Sequence, residues 1–152
     1  MAISAEQIER EKQTLPFGWG RFGKAVERLA ELSEPDESLL ATCVTLNPEY
    51  HYNPKFTPGS ALGAGHALHE LTKSMNVLLA CTDERLIVLN TGGGGGPREH
   101  ASLAYAGLTI VSRGKKEFVL GAPDGEIRFR GAAKQQLPRL LEVLEAHSSA
   151  PD

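Results

Sequence analysis

Apolar positions change their spacing twice along this chain, and each change marks a new kind of element. Phe22, Val26, Leu29 and Leu32 recur at helical intervals with Arg21, Lys24, Glu27, Arg28 and Glu31 between them, which predicts an amphipathic helix. A shorter helix precedes it. Ser4 followed by Gln7 fits a capping box, so the chain is expected to be helical from Ala5 to about Gln13 and then broken by Pro16 and the Gly18-Trp19-Gly20 segment. Pro35 ends the second helix, because the residue before a proline is pushed out of the helical region.

From Ser38 the helical interval disappears. Leu39 to Leu46 is apolar and β-branched and reads as a first strand. Asn76 to Thr82 and Arg85 to Thr91, joined by the polar pair Asp83-Glu84, read as a β-hairpin of adjacent antiparallel strands. Further strands are expected at Glu99 to Tyr105, Leu108 to Arg113, Lys115 to Leu120 and Glu126 to Arg130. The last two meet at Pro123-Asp124-Gly125, where proline presets one dihedral and glycine takes a positive φ. Glu126 to Arg130 alternates strictly, which sends Ile127 and Phe129 to the core and Arg128 and Arg130 to solvent. The helical interval then returns in Leu137, Leu140, Leu141 and Leu144, and Pro138 marks the first turn of that helix. Asn47 to Met75 fits neither pattern: prolines bracket Tyr50, His51, Tyr52 and Phe56, and a short helix is possible near Gly65 to Lys73.

The expected organisation is an N-terminal helical extension over 1–34, a domain over 35–147 with an insertion at 47–75, and a frayed tail at 148–152. A chain of 152 residues can bury a sizeable core without metal or disulfide staples. The formal charge of −3 argues against general nucleic-acid binding, and no apolar run reaches the 18 or so residues of a membrane-spanning helix. Met1-Ala2-Ile3-Ser4 lacks the basic stretch and apolar core of a secretory signal, so a cytoplasmic protein with reduced thiols is expected.

Val77 to Val88, with Thr82-Asp83-Glu84-Arg85-Leu86 at its centre, resembles the "apolar run, Thr-Asp-x-Arg-Leu, apolar run" of bacterial pleckstrin-homology-like (PH-like) domains of the YokE-like kind. Gly125 to Gly131 before a Leu-rich helix is similar to their last strand and helix. The resemblance covers Leu39 to His147 and implies an α+β fold, a seven-stranded antiparallel barrel or sandwich capped by a C-terminal helix. Two N-terminal helices and a long insertion between strands 1 and 2 would be this chain's additions. It also implies a non-enzymatic module for protein binding or self-association. The insertion holds only Lys55 and Lys73, without the Lys/Arg cluster by which such domains hold phosphoinositides.

Candidate chemistry is sparse. Gly92 to Gly96 is followed by Pro97-Arg98 rather than Gly-Lys-Ser/Thr, so it reads as a strand connection and no nucleotide is expected. His66, His69 and Glu70 would share one helix face, with His51 and His100 as further ligands. They match no defined zinc spacing, so no metal or cofactor is expected, and a small metal-dependent enzyme is the third-ranked reading. Cys43 and Cys81 read as small core residues. Arg113, Lys115, Lys116, Arg128 and Arg130 form a basic stripe that would serve anionic-ligand or peripheral-membrane binding, the alternative function. The apolar stripe of Phe22, Val26 and Leu29, with Tyr50, Tyr52 and Phe56 of the insertion, is the expected partner-binding surface. Such a stripe has to be covered, by the chain's own domain or by a second protomer. The resemblance favours a homo-oligomer with residues 1–34 at its interface.

Overall fold

A computed structural model describes residues 3–16, 22–52, 76–90, 100–122 and 125–148. Helices α1 (Ala5–Lys12) and α2 (Gly23–Leu32) lead into β1 (Leu39–Tyr52), β2 (Asn76–Thr82), β3 (Arg85–Asn90) and β4 (His100–Ala104). Strands β5 (Thr109–Arg113), β6 (Phe118–Ala122) and β7 (Gly125–Arg130) follow, and α3 (Leu137–Ser148) comes last. The fold is α+β. Its strands form one seven-stranded antiparallel sheet in the order β4, β3, β2, β1, β7, β6, β5. The Ser4 side chain accepts from the Gln7 amide while Gln7 reaches back to the Ser4 amide, the capping box that the sequence predicts.

Strand β1 joins the two halves of the sheet. From Leu39 to Leu46 it pairs with β2, and from Leu46 to Tyr52 with β7. Asn47 to Tyr52 are therefore strand, where the sequence pattern placed the start of the insertion. The cause is a bulge: Leu46 lies opposite Arg130 and Glu49 opposite Arg128, so β1 holds one residue more than its partner over this interval. Pro48 falls inside it, and a bulge is where a strand tolerates proline. Before the bulge no strand among the described residues pairs with the second edge of β1. There Val44 donates to Gln136 Oε1 at 3.0 Å, and its carbonyl accepts from the Ala133 amide at 3.0 Å. The segment leading into α3 thus completes the sheet edge with side chain and loop backbone.

Two cores lie on opposite faces of β1, β2 and β3. Val77, Leu79, Cys81, Leu86 and Val88 point into the first, which Phe118, Leu120, Ile127, Phe129 and the Leu137, Leu140, Leu141 and Leu144 stripe of α3 complete. Leu78, Ala80, Ile87 and Leu89 point into the second, where Ile8, Phe22, Val26 and Leu29 cover them. Burial on both faces explains why β2 and β3 are continuously apolar. Strand β7 is covered on one face only, and it alternates as the sequence predicts: Ile127 and Phe129 are buried, Arg130 is exposed and Arg128 half-buried.

The apolar stripe of α2 is consequently covered within the chain. Phe22, Val26 and Leu29 are each 0% exposed. They belong to the second core and not to an outer partner-binding surface. The reason is that β2 and β3 present a second apolar face, which no solvated sheet could leave bare and which sits beside the helices in sequence. Among the described residues, no helix is long and apolar enough to cross a membrane. The glycine run Gly92 to Gly96 and the proposed helix near Gly65 to Lys73 lie outside the described residues.

Candidate functional site

The turn Thr82-Asp83-Glu84-Arg85, whose wording carries the family resemblance, does structural work in this chain. Thr82 ends β2 and Arg85 begins β3, so their side chains meet the linker between α2 and β1. Arg85 holds the Glu37 carboxylate in a two-point grip, with Nε to Oε2 at 2.8 Å and Nη2 to Oε1 at 2.9 Å. Thr82 Oγ1 donates to Glu37 Oε2 at 2.6 Å, and the Glu34 amide donates to Oε1 at 2.9 Å. Arg85 Nη2 also reaches the Leu32 carbonyl at 2.8 Å, and Nη1 reaches Ser102 Oγ at 2.6 Å. Asp83 closes the grip by exchanging hydrogen bonds with Ser38. Full burial of Glu37 opposes its charge, yet the bonds from Arg85, Thr82 and the Glu34 amide, with the Arg85 charge, hold its pKa down at about 2. The bonds to Leu32, Glu34, Glu37 and Ser38 fasten the end of α2 and the linker after it to the β2–β3 turn.

A second polar bridge fastens α1. Glu11 is buried and accepts from Thr42 Oγ1 at 2.9 Å, while Gln136 Nε2 donates to Thr14 Oγ1 at 2.8 Å and to Thr42 Oγ1 at 3.4 Å. Helix α1, strand β1 and the start of α3 are joined through it.

Both thiols are buried and free. Burial pushes Cys43 and Cys81 up to about 12, so neither is a thiolate near neutrality. Tyr105, whose hydroxyl donates to the Thr82 carbonyl at 2.5 Å, is also pushed up, by burial first and by Cys81 second. Its ring lies 4.9 Å from that of His147. Among the described residues no group of three His, Cys, Asp or Glu side chains gathers to hold a metal. His66, His69 and Glu70 lie outside the described residues, as does Phe56. Tyr50 and Tyr52 are on β1 with their backbones opposite Ile127 and Gly125.

The basic stripe divides into two parts. Arg113 pairs with Glu145 at 2.8 Å, Arg128 with Glu117 at 3.3 Å and Arg130 with Glu49 at 2.9 Å. Exposed pairs of this kind add little stability, but they neutralise the strand face. Lys115 and Lys116, on the tight β5–β6 turn closed by the Gly114 amide to the Glu117 carbonyl, are exposed. Beside that turn is a cleft of about 310 Å³ lined by Gly114, Lys115, Lys134, Leu137, Pro138 and Leu141. Its floor is the edge of the α3 leucine stripe, and lysines from two segments stand at its rim. Lys134 was not among the basic residues expected to act together. It lies in a loop 18 or more residues from the other lysines, and only the packing of α3 against the β5–β6 turn brings them together. Comparison with known proteins gives no match to any family model, curated protein or solved structure.

Proposed function

We propose that this chain is a non-enzymatic binding and assembly module of the PH-like type, which associates with a second copy of itself through the outer edge of β5. The order of seven antiparallel strands followed by one C-terminal helix supports the PH-like reading. The non-enzymatic reading is supported by buried carboxylates Glu11 and Glu37 that are bonded to structural partners, and by thiols raised far above neutrality. One observation carries the assembly surface. Strand β5 ends the sheet, pairing with β6 alone, and Val111 at its centre is 51% exposed, the one exposed large apolar side chain among the described residues. Its register shifts between Ile110 and Ser112, so Val111 is the extra residue of a bulge in this edge strand. An open edge with an apolar residue is a template for strand addition.

Light scattering of the parent chain and of Val111→Lys over a range of concentrations tests this. A parent dimer that Val111→Lys converts to monomer, with an unchanged thermal midpoint, is the expected result. A parent that stays monomeric, or a dimer indifferent to Val111→Lys, rejects the β5 edge.

A further inference from the structure

We propose that the cleft between the β5–β6 turn and the start of α3 binds a small amphiphilic carboxylate of the medium-chain fatty-acid class. Two properties of the cleft select that chemistry. Its floor is apolar: Leu137 and Leu141 are 1% and 6% exposed, and Pro138 and Gly114 add no charged group. Its rim carries Lys115 and Lys134, which have no carboxylate partner among the described residues, in contrast to Arg113, Arg128 and Arg130 nearby. A sugar phosphate would satisfy the lysines and leave the leucine floor wet. An uncharged hydrocarbon would do the reverse. A single anionic head on a short alkyl tail matches both, with the carboxylate between the two ammonium groups and the tail along Leu137, Pro138 and Leu141. The volume of about 310 Å³ is at the small end for ligand sites and suits one short chain rather than a two-tailed lipid.

The lysines are positioned by the fold. Lys115 is held by the turn in which Gly114 donates to the Glu117 carbonyl at 2.7 Å, and the next carbonyl, of Lys116, accepts from Ala132 at 2.8 Å. That second bond ties the turn to the segment carrying Lys134. The backbone on both sides of the cleft is therefore joined by a bond that exchanging either lysine side chain does not remove.

The test is titration of the full chain with octanoate, kept below its micelle concentration, followed by calorimetry and by backbone amide shifts. Saturable binding is expected, with shifts centred on Gly114, Lys115, Lys134 and Leu137 and lost as salt is raised. Across hexanoate, octanoate and decanoate, affinity should rise by up to about fourfold per added methylene, the ratio for full burial of one such group. Replacing Lys115 and Lys134 together by alanine should weaken octanoate about tenfold or more at an unchanged thermal midpoint. Octanol and octyltrimethylammonium should bind far more weakly than octanoate. The proposal is overturned by absent or unsaturable binding, by octanol binding as well as octanoate, or by lysine variants that bind like the parent. Lysine variants that lose stability while the parent binds nothing would mean that the lysine stems only shield the leucines. Anionic vesicles bound without octanoate binding would assign the lysines to a membrane surface instead. Val111→Lys should leave octanoate binding intact, which separates this site from the β5 edge.

Discussion

At Glu37 a single carboxylate joins three parts of the chain, and its removal leaves Arg85 and Thr82 without their shared acceptor. Breaking a buried, bonded pair from one side is costly, so Glu37→Ala should lose about 3 kcal/mol in urea unfolding at neutral pH. Acid should have the same effect more gradually. The Glu37 pKa is about 2 in the folded chain against an ordinary value of 4.5, so its contribution is complete above about 4.5 and is lost as pH falls towards 2. Unfolding midpoints measured through that interval should fall more steeply for the parent than for Glu37→Ala. Gly131 is another residue with a specific demand. Its φ of +58° is left-handed, and a Cβ there would come within 3.0 Å of Leu46 Cβ. Gly131→Ala should therefore cost about 1–3 kcal/mol, from strain and contact together, in the same unfolding measurement.

Elements in this protein keep their sequence pattern wherever one face alone is buried. The alternation of β7 and the leucine stripe of α3 both place their apolar residues in the first core, as their periods require. Ile127→Asp puts an unpaired charge in the first core and should unfold the chain, at a cost of several kcal/mol. Arg130→Asp, next to the core residue Phe129 but on the solvent face, should shift the thermal midpoint only slightly; calorimetry on both variants checks the phase of the strand. The 14-residue strand β1 is the element whose pattern misled. Pro48 signals the end of a strand in a linear reading, and the pairing of Glu49 to Tyr52 with β7 becomes visible only when a strand more than 70 residues later is placed beside it.

On the scale of the whole molecule, the N-terminal helices are part of the fold. Their apolar residues cover Leu78, Ala80, Ile87 and Leu89, and two polar bridges, through Glu11 and through Glu37, fasten them. A chain beginning at Glu34 should therefore expose one face of β1 to β3. It is expected to bind hydrophobic dye, aggregate, and lose dispersed amide signals, rather than to survive as a folded monomer. A folded, monomeric truncated chain would show that α1 and α2 are separable from the sheet. Covering that face from within leaves Phe22, Val26 and Leu29 of the α2 stripe unavailable to a partner.

Period and turn chemistry determined the local elements: the Ser4 cap, the β2–β3 and β6–β7 hairpins, the core face of β7 and the start of α3 near Pro138 are all consequences of neighbours within a few residues. Only the tertiary structure decided that α2 is the cover, that Arg85 turns towards Glu37 and not to solvent, and that Arg113, Arg128 and Arg130 are paired while Lys115 meets Lys134 across a cleft. Each of these joins residues far apart in the chain, and side-chain charge and period carry no record of distance in space. They specify what a residue requires, and the packing of the sheet against its helices selects which group meets that requirement.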